Sequence, residues 1–220
     1  MSVFTVHTIP GSPFARSVML ALEEKQAPWR LVPVAPGAHK QLPHIARHPF
    51  GRVPVLEHDG LTLYETQAIL RYIDRVVPNP PLTPESPIAA AAMDQVMGIN
   101  DWYLFQGVAT VIGFQRIVGP RLMGITPDVA AIEAVMPKAH IVFNELNRLL
   151  EQRPYFAGDQ LSLADLLVAP QIAFFAETPE WTVLTAANPN LLAWNDRMAA
   201  RPSMQATTWN AVAAMARLAA

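Results

Sequence analysis

Ten residues, Pro78 to Pro87, decide what this chain can fold into. Prolines stand at 78, 80, 81, 84 and 87. Each fixes φ and withdraws an amide donor, so no helix or sheet ladder runs through the segment, and it reads as a linker. The pattern differs on its two sides. Before it, VFTVHT (3–8) reads as a strand, 14–25 as a helix and WRLVPV (29–34) as a second strand. Residues 39–47 read as a short helix or turn, ended by His48-Pro49-Phe50-Gly51. VPVLE (53–57) and LTLY (61–64) flank His58-Asp59-Gly60 as a hairpin. A helix follows at 65–77, with Ile69, Tyr72, Ile73 and Val76 on one face. The order βαβαββα predicts a small sheet with helices on its faces.

Beyond the prolines every segment is helical in pattern. Residues 86–118 form one long stretch interrupted by Gly98, Gly107 and Gly113. Residues 127–153 form another, with Val129, Ile132, Val135, Val142, Leu146 and Leu149 at helical spacing and a kink predicted at Pro137. Three shorter helices are predicted at 163–176, 189–200 and 202–219. The expected fold class is therefore α/β plus all-α: an amino-terminal domain over 1–78, a linker over 79–87 and an all-helical domain over 88–220.

Composition narrows the function. Apolar residues make up 51%, enough for a sizeable core, and the net charge is -2, which gives no footprint for nucleic acid or an anionic membrane. The chain has no cysteine, so disulfides, zinc–thiolate sites and protein-thiol chemistry are excluded. No basic segment followed by an apolar run opens the chain, as a secretory signal would. The apolar stretch LSLADLLVAPQIAFFA contains Asp165 and is too short to span a bilayer. The expected setting is cytoplasmic, without a membrane partner.

Few residues stand out chemically. Ser12 precedes Pro13 at the start of the first helix, a good N-cap arrangement. Its third helical position is Ala15, so no capping box forms. Arg16 adds a cation near the positive end of the helix dipole, which with the hydroxyl and free N–H groups resembles an anion-binding corner. Ser162 and Asp165, by contrast, have the spacing of a structural capping box. Val53-Pro54 reads as a proline at a strand start; a cis bond there would offer the Val53 backbone to another extended peptide. Glu65 and Thr66 open a helix, either as a favourable N-terminus or facing an ammonium–carboxylate pair. His39 and Lys40 fit a solvated turn or a carboxylate site. His44 and His48 have metal-ligand spacing but lack a third ligand, so no metal is expected. No phosphate loop or serine-hydrolase elbow is present, and nothing ties His7 and Asp59 to Ser12 as a triad.

The runs SPFARSVMLALEEK and HKQLPHIARHPFGRVPVLEHDGLTLYETQAILRYI together resemble the thioredoxin-like amino-terminal domain of cytosolic glutathione transferases. The likeness is greatest to the phi class and related bacterial members. YFAGDQLSLADLL and NDRMAARPS extend it into the helical domain. The resemblance implies that Ser12 donates a hydrogen bond to the sulfur of glutathione. His39 and Lys40 match the pair holding the glycine carboxylate, Val53 the residue pairing with the cysteinyl unit, Pro54 the cis-proline, and Glu65 with Thr66 the pair gripping the γ-glutamyl end. Two positions depart: Arg52 replaces the usual Gln, adding a charge that could grip a glutathione carboxylate, and Thr66 replaces Ser. A thiol has a pKa of about 8.5. A hydrogen bond to a charged group, worth roughly 1.5–3 kcal/mol, lowers it by about one to two units.

The resemblance further implies glutathione as cosubstrate, no permanently bound cofactor, a small hydrophobic electrophile and a homodimer. Conjugation of electrophiles and reduction of hydroperoxides both fit a serine at this position. The electrophile pocket is expected between the domains, with Phe14, Trp102, Phe105, Phe114 and Ile117 as linings, each equally readable as core. A non-catalytic ligand-binding or protein-interaction member of the fold is the alternative.

Overall fold

A computed structural model of the chain describes residues 2–219. It divides into two compact units, Met1–Leu82 with Ala200–Ala220, and Thr83–Ala199.

The first unit holds β1 (Phe4–Thr8), α1 (Pro13–Glu24), β2 (Trp29–Pro33), a 3-10 turn (Ala38–Lys40), α2 (His44–Arg47), β3 (Val55–His58), β4 (Leu61–Tyr64) and α3 (Thr66–Val76). The sheet order is β2-β1-β3-β4, with β1 parallel to β2 and the other pairs antiparallel. This is the expected thioredoxin-like βαβαββα order. All five residues of the central β1 are buried, α1 and α3 pack together, and Val18, Leu22, Ile69 and Ile73 are among their buried residues. Each such side chain contributes about 1.5–3 kcal/mol when fully buried. Asp59-Gly60 forms the two-residue hairpin turn between β3 and β4.

The register decides where the loops emerge. Thr8 at the end of β1 pairs with Pro33 at the end of β2, His7 pairs with Val55 at the start of β3, and Val55 pairs with Tyr64 at the end of β4. The loops carrying Ser12, His39 with Lys40, Arg52 to Pro54, and Glu65 with Thr66 therefore leave the sheet at one end.

The proline linker is docked onto this unit. Lys25 Nζ, fully buried, donates to the Asp74 carboxylate and to the Pro80 carbonyl. Asp74 Oδ1 also accepts from the Leu82 amide at 2.9 Å. Removing one member of such a buried pair is strongly destabilising, because the other charge is left unpaired.

The chain's end corrects the expected boundary at 88–220. Residues beyond Ala199 belong to the first unit, not the helical one. Arg201 forms a two-pronged ion pair with Glu24 at the end of α1 (2.7 and 2.6 Å), and Ser203 donates to the same carboxylate. The helix expected over 202–219 is two, α10 (Pro202–Ala206) and α11 (Trp209–Leu218). Thr208 is extended there and its hydroxyl accepts from the Ala211 amide at 3.3 Å, starting a new helix.

The second unit contains α4 (Pro87–Ile99), α5 (Gly119–Met123), α6 (Val129–Leu150), α7 (Leu163–Phe175), α8 (Glu180–Thr185) and α9 (Pro189–Ala199). The stretch expected as one helix to 118 changes character. Asn100–Ala109 and Phe114–Val118 are π-helical, as in the Thr110 amide donating to the Phe105 carbonyl at 3.0 Å. α6 runs through Pro137 as a single element. α7 is buried on all sides and forms the centre of the unit. Among the described residues, no helix is long and apolar enough to cross a membrane.

Candidate functional site

Ser12 is the N-cap of α1, in extended conformation, and its Oγ accepts from the Ala15 amide at 3.3 Å. It is partly exposed. Gly11 before it has φ +90°, and a Cβ there would lie 2.6 Å from the Trp209 ring, so only glycine lets the β1–α1 loop pass α11. Arg16 does not complete an anion-binding corner. Its Nη2 donates to the Met204 carbonyl at 2.9 Å and its Nε to Thr207 Oγ1 at 3.4 Å, so the guanidinium anchors the carboxy-terminal segment. The Ser12 hydroxyl, set at the positive end of the α1 dipole, remains as the polar feature of this helix start.

The 39–54 segment is knit to itself. Gly51 has φ +56°, and a Cβ there would meet the His39 carbonyl oxygen at 2.8 Å. Lys40 Nζ lies 3.5 Å from the Phe50 carbonyl. The His39–Lys40 turn thus lies against the loop that carries Arg52. Burial, joined by the charges of Lys40 and His44, holds the His39 imidazole below its ordinary range, and its Nδ1 has no partner among the described residues. Arg52 is exposed, while its carbonyl accepts from His44 Nε2 at 2.7 Å. The Val53–Pro54 peptide is cis. Neither the amide nor the carbonyl of Val53 has a hydrogen bond among the described residues. A short stretch of backbone is therefore open to pairing with an extended chain.

Glu65 is the N-cap of α3 with φ 69°, a backbone conformation costing a non-glycine residue about 1–3 kcal/mol, and its side chain is exposed. Thr66 is buried at the first helical position. Behind the loops, His7 Nε2 lies 3.0 Å from Glu57 Oε2, and Arg47 donates to Glu57 Oε1 at 2.9 Å. The His7 contact, resisted by burial and joined by Arg47, holds the Glu57 carboxyl below the usual carboxylate range.

His44 and His48 make no metal pair. His44 is committed to the Arg52 carbonyl, and His48 stacks on Tyr64 with ring centroids 4.7 Å apart. Among the described residues no three metal-ligating side chains come together. His44 and Gly51 are the site's unforeseen members. For Gly51 the signal was the turn His48-Pro49-Phe50-Gly51; for His44 there was none, because a backbone carbonyl acceptor leaves no mark in a sequence.

The expected pocket residues are distributed over both units. Phe14 is half-buried in the first; in the second, Trp102 is 68% exposed, and Phe105, Phe114 and Ile117 are half-buried. None is wholly core. Ser162 and Asp165 form the reciprocal cap of α7. Asp165 accepts from the Ser162 amide, the Ser162 hydroxyl, the Phe156 amide and Trp194 Nε1 at 2.6–3.0 Å. Burial pushes its carboxyl up even against these four donors. A separate groove of about 450 Å³, lined by Glu23, Trp29, Arg30 and α11 residues, lies at the start of β2, away from Ser12.

Residues 2–75 match the family described as "Glutathione S-transferase, N-terminal domain", and residues 107–202 match "Glutathione S-transferase, C-terminal domain". The chain is 32% identical over 209 residues to glutathione S-transferase 3 of Zea mays, covering 94% of each chain. The chain belongs to the glutathione S-transferases, of the phi-like kind. It is likewise 33% identical over 186 residues to the probable glutathione S-transferase GSTF2 of Oryza sativa subsp. japonica, covering 84% of this chain and 86% of that one. Among solved structures, glutathione transferase F7 from Populus trichocarpa superposes with a TM-score of 0.82 at 30% identity, over 97% of this chain and 99% of that one. A glutathione S-transferase-I bound with the ligand lactoylglutathione gives the same TM-score at 28% identity, over 98% and 99%.

Proposed function

We propose that this protein is a glutathione transferase, which joins glutathione through its sulfur to small hydrophobic electrophiles. One observation carries the reading. The free amide and carbonyl of Val53 and the capping hydroxyl of Ser12 belong to loops at the same end of the sheet. A thiol peptide paired with Val53 would bring its sulfur to a helix N-terminus. Its chain ends would then meet Glu65 with Thr66 on one side, and His39, Lys40 and Arg52 on the other. A relative solved with lactoylglutathione, a glutathione derivative, supports this occupant.

Ser12 acts as a hydrogen-bond donor to the thiolate, not as a base or nucleophile. The nucleophile is the cosubstrate's sulfur, since the chain has no thiol of its own. Its donation, worth roughly 1.5–3 kcal/mol, lowers the thiol pKa by about one to two units, and the helix dipole acts in the same direction. The likeness to the family supports a cytoplasmic homodimer as the working form.

The test is a glutathione titration followed at the thiolate ultraviolet band, then turnover with a panel of electrophiles and hydroperoxides. Thiolate formation below the free thiol's pKa with conjugate released supports the reading. Absence of glutathione binding ends it.

A further inference from the structure

We propose that His44 is a positioning residue for the cosubstrate: it holds the Arg52 carbonyl inward and so turns the Val53 amide outward to meet the peptide backbone of glutathione. This rests on the glutathione reading above.

The argument begins with one planar unit. The Arg52 carbonyl and the Val53 N–H belong to the same peptide group, and the bond between them is not among the cis bonds. In a trans peptide these two groups point in opposite directions. Whatever captures the carbonyl therefore aims the amide. The captor is His44, whose Nε2 lies 2.7 Å from the Arg52 oxygen. The acceptor is a carbonyl, so Nε2 carries the proton and donates.

The imidazole itself has little freedom. His44 is 4% exposed and opens α2. Its ring lies nearly parallel to that of His48, with centroids 6.4 Å apart, and His48 stacks on Tyr64 at the end of β4. This row of rings ties the anchor to the sheet end from which Glu65 emerges. On the other side of the loop, Gly51 packs against the His39 carbonyl. The backbone from 51 to 53 is thus held at two points, and the Val53 amide and carbonyl stay unpaired among the described residues. A peptide-binding edge fixed before the ligand arrives costs less ordering on binding.

The test compares His44→Phe, which keeps a ring but removes the donor, with His44→Gln, whose amide nitrogen can replace Nε2–H. Glutathione affinity is measured by calorimetry, steady-state kinetics with an activated aryl chloride, and the Val53 amide by nitrogen–proton resonance and hydrogen exchange. His44→Phe is expected to weaken glutathione binding by about tenfold, raising KM with little change in kcat at saturation. Its Val53 amide should shift and exchange faster, and His44→Gln should recover most of both. Two results overturn the proposal: unchanged affinity in a folded His44→Phe, or equal loss in both variants. If His44→Phe does not fold, His44→Gln decides, since loss of affinity in that variant at an undiminished melting temperature also overturns it. Failure of the wild-type protein to bind glutathione removes the function reading and this proposal's ligand together. In that event the Val53 resonance separately reports whether the anchor exists.

Discussion

The Ser12 hydroxyl has one proton to give and two lone pairs, and the fold uses only a lone pair. Accepting from the Ala15 amide caps α1 and leaves the proton for a thiolate, so capping and catalysis are compatible in one side chain. Ser12→Ala should show both losses. The cap accounts for about 1 kcal/mol of stability. The missing donor should lower kcat/KM by about ten- to a hundredfold near neutral pH. That second deficit should shrink as pH rises past the thiol pKa, because hydroxide then does what the serine did; a pH–rate profile that keeps the deficit constant would sink the assigned role. His39 gives a second handle. Burial, then Lys40 and His44, depress its pKa below the ordinary value of about 6.5, so the free site holds it largely neutral near pH 7. An incoming carboxylate favours the imidazolium and raises that pKa again. Glutathione should therefore bind more tightly as pH falls from about 7 toward the free-site value, with proton uptake. Calorimetry in buffers of different ionisation heat measures that uptake, and His39→Gln should abolish it.

The two serine caps show how unevenly elements can be read from sequence. Ser162 with Asp165 follows a local rule of fixed spacing, and the structure forms the box. What the spacing could not show is that Asp165 also reaches the Phe156 amide and the Trp194 indole, 29 positions away, because those contacts depend on packing. Arg16 failed for the same reason: its partners, Met204 and Thr207, come from the far end of the chain. The βαβαββα order of elements along the chain and the hairpin were legible because alternation and turn residues are local; the strand order in the sheet, which rests on long-range pairing, was not read. The π-helical turns at 100–109 and 114–118 were not, since apolar spacing at this length does not separate i+5 from i+4 bonding. α8 is six residues long, too short for a periodic signal, and is held by Arg116 gripping Glu180 at 2.6 Å. The box is testable as an element. Asp165→Ala would strand two buried amides and an indole N–H, each costing about 1–3 kcal/mol. Urea unfolding of the variant should show a loss above about 3 kcal/mol, while Asp165→Asn, which keeps an acceptor for Phe156 and Trp194, should lose less. Equal stability of Asp165→Ala and wild type would show that the box is dispensable.

At the scale of the whole molecule, the first unit is built from both ends of the chain, so its stability depends on residues far from its sheet. Arg201 and Ser203 close on Glu24 where α1 ends, and Trp209 lies against Gly11 where α1 is approached. α1 is therefore held at both ends by the carboxy-terminal segment, and it is the helix that presents Ser12. Burial alone would raise the Glu24 pKa, but the hydrogen bonds from Arg201 and Ser203, with the arginine's charge, outweigh it and hold the carboxyl below its ordinary range. A folded-state pKa below the unfolded value of about 4.5 means that the unfolded chain takes up protons first as the solution is acidified. The stabilisation is thus complete above that value and lost as pH falls through the folded one. Arg201→Ala should cost about 1.5–3 kcal/mol at neutral pH, the worth of charge-assisted hydrogen bonds at a site mostly shielded from water. Its deficit against wild type should narrow on acidification below about pH 4.5. Hydrogen exchange along α1 reports whether the loss is local: faster exchange from Ala21 to Lys25, with the β1 amides unchanged, would place the effect at the clasp. A deficit that stays constant down the acid limb would instead assign the stability to packing of the arginine stem, with the ion pair contributing nothing.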